Sequence, residues 1–302
     1  MLNGRGLTRR SVVKCLAAGT AAGAFGRAPI CSAFAQEEGA RSNVHFGVQL
    51  NAFPIDPANF ETFLGALGEV KRIGYEGFES GFRFVNGQFK NAGAARKRIE
   101  QSGLTFVGIH IFLSTPMYDA ATGIAPESLY EEVARGGAAL GARYLILSGA
   151  PASDSDMLKR KIDALNKAGS FAKSVGLKAA YHNHWPEFES KIGEIDALYT
   201  RTDPSIVSFV LDAGHAYRGG ANVPQFIRTH QHRIVVFHLR DYKDGHLVTL
   251  GTGTFPLKEV ATTIKEIGWK GWVENEEERE DLSHNGAKVI EPAYRAMKEA
   301  FA

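Results

Sequence analysis

Eight short apolar runs alternate with eight segments of helical character between residues 44 and 300, and this alternation limits the fold more than any other feature. The predicted strands cover 44–50, 74–79, 104–111, 143–147, 177–182, 206–211, 234–238 and 272–274. The predicted helices cover 59–73, 94–101, 126–140, 156–175, 195–199, 223–230, 257–267 and 285–300. Strands that alternate with helices form parallel βαβ units, and eight such units favour a closed (β/α)8 TIM barrel over an open sheet.

Glycine follows several predicted helices just before the next strand begins. These glycines are Gly74, Gly103, Gly141, Gly176 and Gly268. Glycine readily adopts the left-handed conformation in which helices commonly end, so each one supports a helix boundary. The first strand is not followed by a glycine-rich phosphate loop, which argues against an open dinucleotide-binding sheet. We therefore predict one α/β barrel domain over residues 37–302.

The N-terminus has a different character from the rest of the chain. Thr8-Arg9-Arg10-Ser11 resembles a twin-arginine export motif; a weakly apolar stretch follows at 15–25, and Ala33-Phe34-Ala35 suits a signal peptidase. A disordered basic tail or a short membrane anchor is the alternative, but the apolar stretch is short for crossing a bilayer. We interpret residues 1–36 as a twin-arginine signal peptide and expect a periplasmic protein without stable membrane insertion after cleavage.

Composition excludes several function classes. The chain has two cysteines, Cys15 and Cys31, and both lie in the predicted leader, so the mature protein would have neither disulfides nor a catalytic thiol. The formal net charge is +2, which provides no general electrostatic attraction for nucleic acid. The expected partner is therefore a small molecule, and the oligomeric state, a homo-oligomer included, is left open.

Imidazoles and carboxylates gather at the ends of the last four predicted strands. The residues are His182, His184, Asp212, His238, Glu274 and Glu276. The carboxyl ends of all strands in such a barrel open onto one face, where active sites lie. Nitrogen and oxygen ligands that converge there indicate a divalent metal site.

Five segments resemble the sugar phosphate isomerase/epimerase superfamily, the xylose isomerase-like TIM barrels. They are Tyr-His-Asn-His-x-x-Glu-Phe at 181–188, Leu-Asp-x-Gly-His at 211–215, His-Leu-Arg-Asp at 238–241, Leu-Gly-Thr-Gly-Thr at 250–254 and Gly-Trp-Lys-Gly-Trp-Val at 268–273. The resemblance implies one divalent ion (Mn, Mg, Co or Zn) held by a Glu, an Asp, a His and a second Glu from strands five to eight.

The resemblance transfers these roles residue by residue. Asp212 and His238 match the family's Asp and His, and Glu276 matches the last Glu, with Glu274 as the alternative. On strand five the chain departs from the family, because His182 stands where ketose epimerases place a metal-binding Glu that is also the base. We carry the metal role onto His182, with His184 as the alternative.

Further roles are expected for neighbouring residues. The predicted acid–base residues are Glu276, His182 and Glu187, and Glu187 would either restore the missing carboxylate or cap a helix. The predicted substrate contacts are Glu79, His110, His184, His215 and Arg240. Asp241 is expected to orient His238 from behind, in the usual outer-shell arrangement.

These expectations converge on proton abstraction next to a carbonyl, with metal assistance. Isomerisation or epimerisation of an unphosphorylated sugar, keto-sugar or polyol is the first prediction. A lyase or hydratase acting on a keto-sugar or keto-glycoside is the second, because the His-Asn-His variant removes one of the two epimerase carboxylates. A metal-dependent endonuclease and a non-catalytic periplasmic sugar-binding barrel are the remaining alternatives.

Overall fold

The computed structural model describes residues 44–278 and 285–302, so the predicted leader lies outside the described residues. The strands are β1 (Val44–Gln49), β2 (Gly77–Gly81), β3 (Thr105–Ile111), β4 (Tyr144–Leu147), β5 (Lys178–His182), β6 (Val207–Asp212), β7 (Ile234–Leu239), β8 (Asp241–Lys243), β9 (His246–Val248) and β10 (Gly271–Asn275). Eight of them form a closed parallel barrel in the order β1-β10-β7-β6-β5-β4-β3-β2, which confirms the predicted fold class. Strands β8 and β9 form a separate antiparallel hairpin that was not predicted.

The helices are α1 (Phe60–Ile73), α2 (Ala92–Gln101), α3 (Glu127–Leu140), α4 (Ser155–Ser174), α5 (Trp185–Phe188), α6 (Glu194–Arg201), α7 (Ala213–Arg218), α8 (Val223–His230), α9 (Leu257–Glu266) and α10 (Ala287–Phe301). Each of the eight predicted helices is present within a few residues of its expected bounds. The short helices α5 and α7 were not predicted. Within residues 44–278 and 285–302, none of the helices combines the length and apolar character required to cross a bilayer.

The second strand begins later than predicted, at Gly77 rather than Gly74. Gly74 is the C-cap of α1, in the left-handed conformation with φ of 114°, and its N–H donates to the carbonyl of Val70. Helix α1 therefore ends at Gly74, and Tyr75 and Glu76 connect it to the first residue of β2. The role of Gly74 at the helix end is as predicted, and the strand boundary was wrong by three residues.

The barrel interior contains its own apolar cluster, separate from the larger core between the strands and the helices. Its buried members, one from each of six consecutive strands, are Val107, Ile146, Ala180, Val210, Val236 and Trp272. This cluster closes the barrel beneath the functional face, as is usual for TIM barrels. It also identifies which side of each strand faces inward, and that determines where the polar side chains point.

Candidate metal centre

Strand periodicity explains why the polar side chains at the functional face point into the barrel. Successive side chains alternate between the two faces of a strand, so a residue two positions beyond an inward-facing one also faces inward. Two positions beyond the apolar cluster members of β4, β5, β6, β7 and β10 stand Ser148, His182, Asp212, His238 and Glu274. All five are buried. The apolar cluster is thus covered by a ring of polar residues on its carboxyl-end side.

Two register shifts complete this ring. Between β2 and β3, Phe78 pairs with Phe106 but Glu79 pairs with Gly108, so β3 carries one extra residue. This shift places His110 on the inner side, next to Glu79. A similar shift between β6 and β7 aligns Val210 with Val236, so that Asp212 pairs with His238. Such bulges re-aim side chains and are common near active sites.

Four residues bring one ligand atom each to within 4.8 Å of one another: His182, Asp212, His238 and Glu276. His238 Nδ1 lies 2.7 Å from Glu276 Oε2, and His182 Nε2 lies 3.3 Å from the same oxygen. His182 Nε2 is 3.6 Å from Asp212 Oδ2. The sequence-predicted ligand set is therefore assembled at one point, whereas the alternatives Glu274 and His184 lie outside this group.

The donor set fits a divalent metal ion. Two imidazole nitrogens and two carboxylate oxygens suit zinc, manganese or cobalt. Asp212 Oδ2 is buried and accepts no well-aligned hydrogen bond among the described residues, so a lone pair stays available for an ion although the Arg240 guanidinium compensates its charge. Burial would lower the pKa of His182, but Asp212 and Glu276 raise that pKa to about 9. A metal ion would therefore displace a proton from this imidazole.

His238 also belongs to a second group, formed with Glu79 and Glu274. Its Nε2 lies 3.0 Å from Glu79 Oε2 and 3.3 Å from Glu274 Oε2. Burial would raise the pKa of Glu79, but His238 and His110 lower it to about 2. Burial raises the pKa of Glu274 to about 7, and the neighbouring charge of Glu79 adds to the increase. Glu79 is thus the ionised member of this carboxylate pair.

Glu79 and His110 do not have the surroundings expected of substrate contacts. Glu79 is fully buried, with one carboxylate oxygen facing His238 and the other 2.8 Å from His110 Nδ1. His110 Nε2 is 2.7 Å from Ser148 Oγ. Both side chains therefore use their polar atoms inside the protein, and their contact with substrate stays a prediction.

Arg240, a further predicted substrate contact, is buried among carboxylates, and its contact with substrate stays a prediction. Its Nε lies 2.7 Å from Asp212 Oδ2, although not aligned for a hydrogen bond. Its Nη2 lies 2.5 Å from Glu276 Oε2, and its Nη1 donates to Glu278 at 2.8 Å. The guanidinium thus bridges the two carboxylates of the candidate ligand set and holds the pKa of both below the usual range.

His184 and His215 lie beside the candidate ligands, at the outer edge of the cluster. The His184 ring centroid is 5.1 Å from those of His182 and His215, and 5.6 Å from that of Phe112, which is 48% exposed. Burial lowers the pKa of His184 well below its usual value and that of His215 to about 3, with nearby positive charges adding to the effect. Both are neutral imidazoles able to donate or accept a hydrogen bond, and substrate contact by them stays a prediction.

Glu187 lies in another buried network and does not reach the ligand cluster. Its Oε1 accepts from Tyr181 at 2.5 Å, and its Oε2 accepts from the His184 N–H at 2.6 Å. Tyr181 faces the helix side of β5, because it alternates with the inward-facing Ala180 and His182. The helix-cap alternative for Glu187 matches the observed contact at the start of α5, and its acid–base role stays a prediction.

Lys161 of α4 is the cation of this network. The ammonium donates to Glu194 at 2.7 Å and lies 3.7 Å from Glu187, and all three side chains are fully buried. Its third contact is the Ala150 carbonyl at 2.9 Å. The network ties the loop after β4 to the turn that carries His184, so its role is to position that turn.

Replacing Lys161 with methionine is expected to destabilise the protein by about 3–5 kcal/mol, because two buried carboxylates lose their cation. Urea unfolding followed by circular dichroism measures the effect. Lys167→Met is the matched control: Lys167 is on the same helix and pairs with Glu127 at 2.6 Å, but both partners are exposed. That variant should lose about 0–1 kcal/mol. Equal losses in the two variants would contradict the assignment of Lys161 to a buried ion network.

Asp241 does not orient His238 as predicted. Its Oδ1 accepts from the N–H groups of Tyr242 and Phe255, both at 2.8 Å. Its Oδ2 accepts from Gly251 at 3.0 Å and from Gly253 at 2.9 Å. A Cβ on Gly253 would lie 2.3 Å from Asp241 Oδ1, so only glycine allows this approach. Asp241 therefore folds the loop between β9 and α9, and the position behind His238 belongs to Glu79.

Sequence reasoning missed Ser148, Tyr242 and Lys161. Ser148 could have been found by its strand offset, because it stands two residues beyond the inward-facing Ile146, as His182 does beyond Ala180. Tyr242, whose hydroxyl is 3.1 Å from His215 Nδ1, lies on the unpredicted hairpin. Lys161 could have been found by helix periodicity, because it lies on the same face of α4 as the buried residues Leu158, Leu165 and Ala168.

Comparison with known proteins identifies related barrels. Residues 67–300 match the family described as xylose isomerase-like TIM barrel. An inosose dehydratase of Clostridium beijerinckii is 23% identical over 277 residues, which cover 79% of this chain and 89% of that protein. Other inosose dehydratases are 26–29% identical, but each match spans only about half of the relative, between 47% and 55% of its length.

Solved structures show the same architecture. A sugar phosphate isomerase/epimerase from Parabacteroides distasonis superposes with a TM-score of 0.67 at 19% identity, over 88% of this chain and 97% of that one. The IOLI protein, whose crystal structure contains a zinc atom, superposes with a TM-score of 0.66 at 17% identity, over 85% of this chain and 98% of that one. At these identities the likeness shows the fold alone.

Proposed function

This chain belongs to the xylose isomerase-like TIM barrel family, and we propose that it is a divalent-metal-dependent enzyme that removes a proton next to the carbonyl of an unphosphorylated keto-sugar or keto-polyol. The observation that carries the proposal is the convergence of His182, Asp212, His238 and Glu276 at the carboxyl end of the barrel. Asp212 and His238, on which the ligand assignment depends most, are neighbours in register on adjacent strands.

The four residues would hold the ion, and one of them, Glu276, would also carry out the proton transfer. When bound, the ion supplies Lewis acidity that polarises the substrate carbonyl and acidifies the adjacent C–H. Glu276 is the candidate base. Its Oε2 faces the other ligands, while its Oε1 has a 3.3 Å contact with Asn51 Nδ2. His184 and His215, as neutral imidazoles at the edge of the cluster, would hydrogen-bond substrate hydroxyls.

Elimination of a β-leaving group is the favoured outcome. An epimerisation needs acid–base groups on both faces of the substrate, and ketose epimerases use two carboxylates. Here strand five offers His182 instead, and Glu187 faces away from the cluster. A single carboxylate can take the proton from carbon and return it to a departing hydroxyl, which then leaves as water. The relatives named inosose dehydratases support this choice, because that name specifies loss of water.

The substrate is proposed to be unphosphorylated. The buried cation near the candidate ligands, Arg240, is already bound by Asp212, Glu276 and Glu278. A phosphate group in this position would face several carboxylates without a free guanidinium to bind it. Export to the periplasm by a twin-arginine leader at residues 1–36 remains part of the proposal, and cell fractionation of the full chain would test it.

Solvent deuterium exchange tests the proposed reaction. Protein loaded with zinc, manganese or cobalt is incubated in D2O with a panel of keto-sugars and keto-polyols, inososes included, and products are analysed by mass spectrometry. We expect a product lighter by one water, with deuterium at the carbon that lost its hydroxyl, because the enol left by elimination takes up a proton from solvent there. Exchange with the full mass retained would instead support isomerisation or epimerisation. Metal binding without exchange into any substrate would favour a non-catalytic sugar-binding barrel.

A further inference from the structure

A chain of buried polar contacts joins the two candidate histidine ligands on the side away from the cluster. His182 Nδ1 lies 3.5 Å from Ser148 Oγ, and Ser148 Oγ lies 2.7 Å from His110 Nε2. His110 Nδ1 lies 2.8 Å from Glu79 Oε1, and Glu79 Oε2 lies 3.0 Å from His238 Nε2. The chain begins and ends on a candidate ligand, and three other residues form its interior.

We propose that Ser148, His110 and Glu79 are positioning residues that set the tautomers of His182 and His238, so that both histidines present a lone pair to the same metal ion. The proposal rests on the function proposed above, because it assumes that these two imidazoles are ligands. It assigns an outer-shell role to Glu79 and His110, which the sequence analysis predicted to contact substrate.

The Glu79 carboxylate determines which atoms of the series donate hydrogen bonds and which accept them. An ionised carboxylate can only accept hydrogen bonds, so His238 must carry its proton on Nε2 to donate to Glu79. Its Nδ1, which faces Glu276, is then left with a lone pair. By the same reasoning His110 carries its proton on Nδ1, and its Nε2 accepts from the Ser148 hydroxyl. The Ser148 oxygen can in turn accept from His182 Nδ1–H, which leaves the lone pair of His182 Nε2 directed at Asp212 and Glu276.

At the centre of this series of contacts, Glu79 Oε1 and His110 Nδ1 face one another at 2.8 Å without a well-aligned hydrogen bond. Neither Glu79 Oε1 nor His110 Nδ1 has a well-aligned hydrogen bond elsewhere in the described part of the chain, so the bent 2.8 Å contact between them is the polar contact that both can use. A nitrogen of a metal-bound histidine that points away from the metal is usually held by a carboxylate or another acceptor, and loss of this partner weakens metal binding.

The five residues of this series of contacts are buried, so the loss of one partner cannot be compensated by solvent. Glu79, Ser148 and His238 have no exposed surface, and His110 and His182 have 2% and 1%. Water therefore has no access to replace a missing partner, and a broken link would leave an imidazole free to take the wrong tautomer. If these residues served only to fill the barrel interior, exchanging a donor for an acceptor among them would not alter the tautomers of His182 and His238.

The test uses Glu79→Gln, a nearly isosteric change that cannot accept from both histidines, and Ser148→Ala. Zinc affinity is measured by competition with a chelating indicator, and the tautomers of 15N-labelled histidines are read from long-range proton–nitrogen spectra. We expect zinc affinity to fall about 10- to 100-fold in both variants. We expect the zinc-loaded wild type to show His238 protonated on Nε2 and His182 protonated on Nδ1, and at least one of these signals to change in each variant.

Glu76→Gln is the matched control. Glu76 accepts from His45 Nδ1 at 2.8 Å, the same distance as in the buried pair, but both side chains are about half exposed. Its zinc affinity should stay within about twofold of wild type. If wild type, Glu79→Gln and Ser148→Ala all bound zinc equally well and with unchanged tautomers, the positioning role alone would be overturned. Wild type that binds no divalent metal would overturn the proposed function and this inference together.

Discussion

Asp212→Asn protein is expected to fold normally and to lose stoichiometric metal. The side chain of Asp212 has two tasks: Oδ1 caps α7 by accepting from the His215 N–H at 2.7 Å, and Oδ2 faces His182 within the candidate ligand set. Asparagine is as good an N-cap as aspartate, so helix α7 should be retained. The exchange removes the negative charge, and the amide that replaces Oδ2 is a poor ligand. Affinity for zinc or cobalt should fall at least about 100-fold, the upper end of what losing an outer-shell partner costs.

Equilibrium dialysis followed by metal analysis measures this change, and thermal unfolding in the presence of a chelator checks the fold. Asp154→Asn is the matched control, because Asp154 caps α4 by accepting from the Met157 N–H at 2.8 Å and lies outside both candidate metal groups. That variant should bind metal as wild type does. Full metal occupancy in Asp212→Asn would refute the assignment of Asp212 as a ligand.

Glu276→Gln is expected to reduce turnover by about 10²- to 10⁴-fold, the usual contribution of a general acid–base group. Glu276 follows Glu274 by two residues and therefore lies on the same side of the chain, nearer the carboxyl-end opening of the barrel. Glu276 takes part in the four-residue group. Both carboxylate oxygens of Glu274 are buried without a well-aligned donor, beneath that group. Glu274→Gln should therefore reduce turnover much less.

Turnover is measured as deuterium incorporation at saturating metal, and the metal content of each variant is determined in parallel. Comparison at equal occupancy separates loss of the base from loss of the ion. If Glu274→Gln lost more activity than Glu276→Gln under these conditions, the roles of the two glutamates would be exchanged.

Much of the architecture could be predicted from the sequence because it depends on local periodicity. Alternation of apolar runs with amphipathic segments is a property of each segment, and eight repeats lead to a closed barrel. Asp212 and His238 were also placed correctly relative to one another. Both end a parallel strand, and the fold class alone brings such ends to one face.

The sequence did not show the direction of side chains whose partners lie on other elements. Glu187 follows β5 closely, as a catalytic residue would, yet Tyr181 and Lys161 bind it on the helix side. Arg240 lies next to a candidate ligand, but its guanidinium turns inward because Asp212 and Glu276 come from other strands. The packing of separate elements decides which of these partners meet, so a local pattern does not show where the side chains point.

The amino-acid sequence by itself determined that eight parallel units enclose a barrel and that imidazoles and carboxylates gather at the carboxyl ends of its last strands, because both properties arise from short-range patterns repeated along the chain. Only the tertiary structure decided which of these groups face one another. A strand fixes the side on which a residue lies, but one-residue bulges, as between β2 and β3, and the buried charges of neighbouring elements decide where its polar atoms are satisfied.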